Sequence, residues 1–175
     1  MQQQGAKLFS CETNQTLQTA AVHFGVTVIP ANLDDIAGEH AGRFETIIAF
    51  DVFEHLSVDQ VRVYLAACGV MLKKGGKLLL RFPNAQSPFG LRPQMGDPTH
   101  QSALSRNVIE LLIVGQGLSV TRYGPSFRFR GRSWTTRIVR TARFTIQRMV
   151  TSICNFTYAT NIPYEPVVVI VLTKD

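Results

Sequence analysis

Phe44-Glu-Thr-Ile-Ile-Ala-Phe-Asp-Val-Phe-Glu-His-Leu56 and, after a helical interval, Leu72-Lys-Lys-Gly-Gly-Lys-Leu-Leu-Leu-Arg-Phe-Pro-Asn84 decide how this chain folds. Thr46 to Phe50 and Lys77 to Phe82 are short, largely apolar runs bounded by turn residues. That is the pattern of strands buried on both faces in a parallel sheet sandwiched between helices. The interval between them starts at Ser57-Val-Asp-Gln60, a capping box, and continues with Val61, Tyr64, Leu65, Cys68, Met71 and Leu72 on one helical face. Lys73 and Lys74 suit the negative end of the helix dipole, and Gly75 is expected to supply the left-handed cap.

Working outward, Thr27 to Ile29 and Val167 to Leu172 read as further strands, with weaker candidates at Leu8 to Cys11 and Leu118 to Tyr123. A helix from Asn14 to a stop at Gly25 should bury Leu17, Ala20, Ala21 and Phe24. Another after Ser105 should turn Val108, Leu111 and Leu112 inward and stop near Gly115. The order is β-α-β-(short α)-β-α-β-loop-α-β-long α-β, which predicts an α/β layered domain with a mostly parallel sheet.

The chain has 175 residues, 45% hydrophobic and 17% charged, enough for one globular domain spanning 1–175 and too apolar for wholesale disorder. No apolar run approaches the roughly 18–20 residues of a membrane-spanning helix. Nothing at the start resembles a secretory signal, so a cytoplasmic protein is expected. Cys11, Cys68 and Cys154 are spaced for neither a disulfide framework nor a zinc motif, and reduced thiols are expected. The net charge of +6 is concentrated: Arg122 to Arg148 holds eight arginines and no Asp or Glu.

In an open α/β sheet, ligands bind beyond the carboxyl ends of the strands. Those ends carry Glu12, Asn32, Asp51 followed by Glu54 and His55, and Pro83-Asn84. Each polar group could face one crevice. A metal site from Glu54, His55, Asp97 and His100 is not expected, because no two of them share the i, i+4 spacing of a helical metal motif. Asp51, Glu54 and His55 also suit a soluble loop capping the next helix, and Asp97-Pro98-Thr99 suits a plain turn.

The two quoted stretches resemble the middle motifs of the class I S-adenosylmethionine-dependent methyltransferases of small-molecule, bacterial type. Ser87-Pro-Phe-Gly90 and Gly96-Asp-Pro-Thr-His100 resemble a substrate-side loop of some members, and the likeness extends over residues 8 to 175. It implies a Rossmann-like fold, S-adenosylmethionine as cofactor, and methyl transfer to a small molecule or sugar, with no nucleic acid as partner. By the same likeness Glu12 matches the acceptor of the cofactor's ribose hydroxyls, and Asn32 stands where many members carry an aspartate beside the adenine. Asp51 with the Val52 to Glu54 backbone matches the stretch lining the methionine part. His100 is the candidate general base, since imidazole is the side chain best matched to taking a proton near neutrality.

The likeness departs from the family at the front. Leu8 to Glu12 match the family's second strand, so its first βα unit, with the glycine-rich turn that cradles the cofactor, has no counterpart, and the domain reads as N-terminally truncated. Gly115-Gln-Gly117 ends a helix rather than opening one and is no substitute. A strand missing from the middle of the sheet should leave two ladders unpaired. The alternative function is therefore a non-catalytic remnant or partner subunit that binds no cofactor. The segment 125–165 is expected to be a helical lid or substrate insertion, its apolar positions covering one end of the sheet. Its basic helix at 132–150 also suits contact with an anionic membrane surface, and self-assembly into a homo-oligomer stays open.

Overall fold

The computed structural model describes residues 7–126 and 133–175. Among the described residues six strands and six helices follow the expected order, except that α4 stands where a loop was expected: β1 (Phe9–Cys11), α1 (Gln15–His23), β2 (Thr27–Ile29), α2 (Leu33–Ile36), β3 (Phe44–Phe50), α3 (Val58–Met71), β4 (Leu72–Pro83), α4 (Leu91–Met95), α5 (Arg106–Leu112), β5 (Leu118–Pro125), α6 (Trp134–Tyr158) and β6 (Val167–Lys174). The strands form two sheets. A four-stranded one runs β3-β4-β6-β5, with β6 alone opposed to its neighbours, and a separate parallel pair joins β1 to β2. Among the described residues no ladder connects the two sheets.

Local chemistry accounts for the element ends. Asn14 Oδ1 accepts from Thr16 N and Leu17 N, Ser57 and Gln60 form the reciprocal capping box, and Ser105 Oγ accepts from Val108 N. The end of α3 differs from expectation. The helix stops at Met71, and Gly75, at φ 74°, takes the left-handed conformation inside the irregular start of β4. Beside it a Cβ on Gly76 would lie 2.8 Å from Lys73 O and 3.2 Å from Phe44 O. The glycine pair thus serves a close approach of β3 and β4, not a helix cap.

The main core lies on one face of the larger sheet. Leu78, Leu80 and Phe82 of β4 stand opposite Leu172, Ile170 and Val168 of β6, all wholly buried under α3 and α5. Each contributes about 1.5–3 kcal/mol. The opposite face, expected to be buried as well, is not: Ile48, in register with Leu79, is 57% exposed and Phe50, in register with Arg81, is 42% exposed. The helices that would cover it do not. In α1 no residue is buried, Leu17 and Phe24 lie in solvent, Ala20 is exposed and Ala21 only half-buried. In α6 no residue is fully buried either. On α5 the inward residues are Ile109 and Leu112, with Val108 half-buried and Leu111 facing out.

The small sheet is attached through a second core. Ile29, Ile36 and Ala37 pack with Ala67 and Met71 of α3, and Phe9 meets the edge of Phe44 at 5.3 Å. α3 therefore bridges both sheets. All three cysteines are free, and burial pushes the Cys68 thiol up to about 12.

Candidate active site

The candidate site begins where β3 ends. Asp51 takes a left-handed conformation at φ 55°, turning the chain out of the sheet into a 3₁₀ turn over Phe53–His55. Phe53 is buried and anchors the turn. Residues 99–102 are laced onto it: Gln101 N and Ser102 N donate to Glu54 O at 2.8 and 3.1 Å, Gln101 Nε2 donates to His55 O, and Ser102 Oγ donates to Leu56 O. This lacing brings two segments 45 residues apart together, so that the His55 and His100 rings meet edge to face at 4.7 Å.

Hydrogen bonds set the orientation of both imidazoles. His100 Nδ1 lies 3.1 Å from Gln94 O, which can only accept, so the proton sits on Nδ1 and Nε2 is left as an acceptor. Thr99 Oγ1 donates to Asp97 Oδ1 at 2.6 Å and therefore accepts from His55 Nδ1 at 2.8 Å. His55 thus presents Nε2 as well. The side-chain and backbone bonds from Thr99 hold the Asp97 carboxyl below its usual range. Glu54 is the opposite case. It is 1% exposed, its Oε2 has no hydrogen-bond partner, and burial raises its pKa.

These groups share a pocket of about 730 Å³ with Asp51, Phe89, Arg92 and Pro166. Of the residues singled out in the sequence, Asp51, Glu54, His55, Asp97 and His100 line it, together with Phe89 of the Ser87-Pro-Phe-Gly90 stretch. Glu12, Asn32 and Val52 are not in its lining. Glu12, beyond β1, accepts from Asn14 N through Oε1 and keeps Oε2. Asn32, beyond β2, donates its amide to Asp35 and keeps Oδ1. Val52 is 44% exposed between Asp51 and the 3₁₀ turn. Asn84 does not face a crevice at all. It is fully buried, with Nδ2 donating to Pro163 O and Glu165 O while Oδ1 accepts from Gln86 N and Tyr123 Oη.

Sequence reasoning missed Arg92 and Pro93, and it read 85–104 as a loop. The signal was present: Ser87 caps a 3₁₀ turn with Pro88 at its first position, and α4 follows directly. The i, i+4 criterion for metal ligands does not reach groups brought together from separate loops. Glu54, His55 and His100, drawn from two laced loops, bring one ligand atom each within 4.8 Å of one another.

No protein-family profile matches this chain, and no curated protein matches it in sequence. Its structure, however, is similar to many solved ones. A SAM dependent methyltransferase from Archaeoglobus fulgidus superposes with a TM-score of 0.66 at 13% identity, covering 99% of this chain and 78% of that one. A possible histamine N-methyltransferase from Thermotoga maritima gives 0.61 at 15% identity, covering 96% and 73%. The magnesium protoporphyrin IX methyltransferase of Synechocystis, with bound SAH, gives 0.55 at 13% identity, covering 99% and 66%. The chain thus has the Rossmann-like fold of the class I S-adenosylmethionine-dependent methyltransferases, with its strands divided between two sheets.

Proposed function

We propose that this chain is an S-adenosylmethionine-dependent methyltransferase acting on a small molecule or sugar. The observation that carries the reading is the position of Asp51: it ends β3, on the strand-exit side where this fold binds ligands, and it also borders the pocket that holds His100.

The residues present fit the donor in kind. Glu12 has a carboxylate oxygen left for a ribose hydroxyl, Asn32 an amide oxygen left for the adenine amine, and Asp51, whose two oxygens also accept from Arg81, a carboxylate with further lone pairs for the amino group of the methionine part, beside the Val52 to Glu54 backbone. When bound, the cofactor supplies a methyl group on a sulfonium. The chain's own work is then to align the acceptor and remove its proton. His100 suits the second task, since its Nδ1–H bond to Gln94 O leaves Nε2, 3.9 Å from Asp97 Oδ2, as the nitrogen to take the proton. Phe89, Pro93 and Val167 supply apolar wall for the acceptor.

Calorimetric titration with S-adenosylhomocysteine tests the reading: micromolar binding supports it, and no heat at millimolar ligand removes it. A second reading, a partner subunit that binds no cofactor, is favoured by one observation. Among the described residues the outer edge of β3 has no partner strand and the two sheets share no ladder. That reading predicts the silent titration.

A further inference from the structure

We propose that Glu54, His55 and His100 form a binding site for a divalent transition-metal ion in the pocket wall. Three observations converge. The ligand atoms lie within 4.8 Å of one another, a spacing that one ion can span. Glu54 is buried to 1% exposure, yet its Oε2 has no partner, an arrangement that an ion resolves and an empty wall does not. Both imidazoles are already oriented as ligands. Nδ1 of His100 is committed to Gln94 O, Nδ1 of His55 to Thr99 Oγ1 and through it to Asp97, so the nitrogen left on each is Nε2, that of His100 lying 3.9 Å from Asp97 Oδ2. Such outer hydrogen bonds are the usual support of metal-binding histidines.

Two imidazoles and one carboxylate favour zinc, iron, cobalt or manganese over magnesium or calcium, which prefer all-oxygen sets. They also leave coordination positions open, and the site borders the pocket rather than a closed core. Metal binding does not depend on the methyltransferase reading; only its consequence does. With an ion bound, the His100 lone pair is occupied and His100 no longer serves as the proton acceptor.

The test uses the full chain, stripped with EDTA, dialysed, and titrated separately with zinc, manganese and cobalt chloride by calorimetry. One-to-one binding of at least one ion is expected, with tetrahedral or five-coordinate absorption bands for cobalt. His55→Ala, His100→Ala and the isosteric Glu54→Gln should each weaken it roughly 10-fold or more, while His23→Ala leaves it unchanged. Circular dichroism establishes that each variant is folded. No binding of any of the three ions overturns the proposal, and so does binding that folded Glu54→Gln and His100→Ala both retain. A silent S-adenosylhomocysteine titration with intact metal binding would remove the proposed function and leave this site standing.

A second inference rests on α6 alone: we infer that its apolar face lies on an anionic lipid bilayer. At 100° per residue its half-buried positions, Phe144, Gln147, Thr151, Cys154 and Asn155, share one arc. The opposite arc carries Trp134, Ile138, Ile146, Met149, Ile153 and Phe156, which are 58–90% exposed. Arg143 flanks that arc on one side and Arg137 and Arg148 on the other, and the helix contains no Asp or Glu. An apolar stripe bordered by arginines matches acyl chains bordered by phosphates. The helix is not apolar enough to cross a membrane.

Co-sedimentation with phosphatidylcholine vesicles, with and without phosphatidylserine, tests this. Binding is expected to the phosphatidylserine vesicles, to fall with salt, and to be lost in Ile146→Asp with Phe156→Asp and in the triple Arg137, Arg143, Arg148→Ala. Absence of binding, binding insensitive to both sets of changes, or a dimer in light scattering that those two aspartates dissolve would each overturn it.

Discussion

Asp51 and Arg81, thirty residues apart in sequence, hold each other across the β3–β4 ladder: Asp51 N donates to Arg81 O, Arg81 Nε donates to Asp51 Oδ1 at 3.0 Å, and its guanidinium also reaches Oδ2. The carboxylate raises the guanidinium pKa further. Register explains the contact. Arg81 pairs with Phe50, and its guanidinium lies over the Phe50 ring at 5.1 Å, so the next residue out meets it.

Because Asp51 is in the left-handed region, its replacements should rank by backbone tolerance and not by charge alone. Asp51→Asn and Asp51→Gly are expected to stay within about 1 kcal/mol of the parent in urea denaturation, while Asp51→Ala loses about 1 kcal/mol more than Asp51→Asn. Equal stability of the alanine and asparagine variants would contradict the conformational argument.

His100→Ala is expected to reduce methyl transfer by at least about 100-fold while leaving S-adenosylhomocysteine affinity unchanged, as the proposed assignment of Asp51 to the cofactor and His100 to the acceptor's proton requires. Steady-state rates with calorimetry on the same preparation check both halves. Unchanged turnover would eliminate His100 from the chemistry.

Asn84 ties the end of β4 to the segment before β6 with a complete set of side-chain hydrogen bonds. Asn84→Ala strands two carbonyls, an amide and a phenol, and should cost about 3 kcal/mol or more in chemical denaturation. Gly90→Ala should be no milder, because a Cβ there falls 2.0 Å from Asn84 O.

Burial pushes the Tyr123 phenol, whose Oη donates to Asn84 Oδ1, up to about 12. A pKa raised by folding means that the native state keeps the proton after the unfolded chain has lost it. The stabilisation is therefore complete below pH 10 and declines as pH rises from 10 toward 12. Parent stability should fall in that window by up to about 1.4 kcal/mol per pH unit more steeply than that of Tyr123→Phe. Parallel curves in alkaline urea titrations would be the contrary result.

Hydrogen exchange should divide the molecule along its sheets. Amides of α1 and of the β1–β2 pair, a small sheet flanked by a helix with no buried side chain, are expected to exchange orders of magnitude faster than those of β4 and β6. Mass spectrometry on peptic fragments measures this directly, and uniform protection would show that the two sheets unfold as one unit.

The strands, the helix starts and the chain order were legible in the sequence because their causes are local. A capping box, an Asn or Ser at N-cap, and an apolar run between turn residues act over a few residues, and all recur at the expected places. Polar groups at strand exits were legible for the same reason. The partners of those groups were not. Whether Asn84 faces a crevice or a buried knot depends on carbonyls some 80 residues away, and Glu54 meets His100 only because 99–102 is laced onto the 3₁₀ turn. Continuous apolar runs such as Thr46 to Phe50 announce a strand without saying how many of its faces are covered. That is decided by what packs on each side, and among the described residues the buried core lies on one side of the larger sheet. Local free energies along the chain thus determined the elements, whereas burial, a property of the assembled layers, decided which residues became a site.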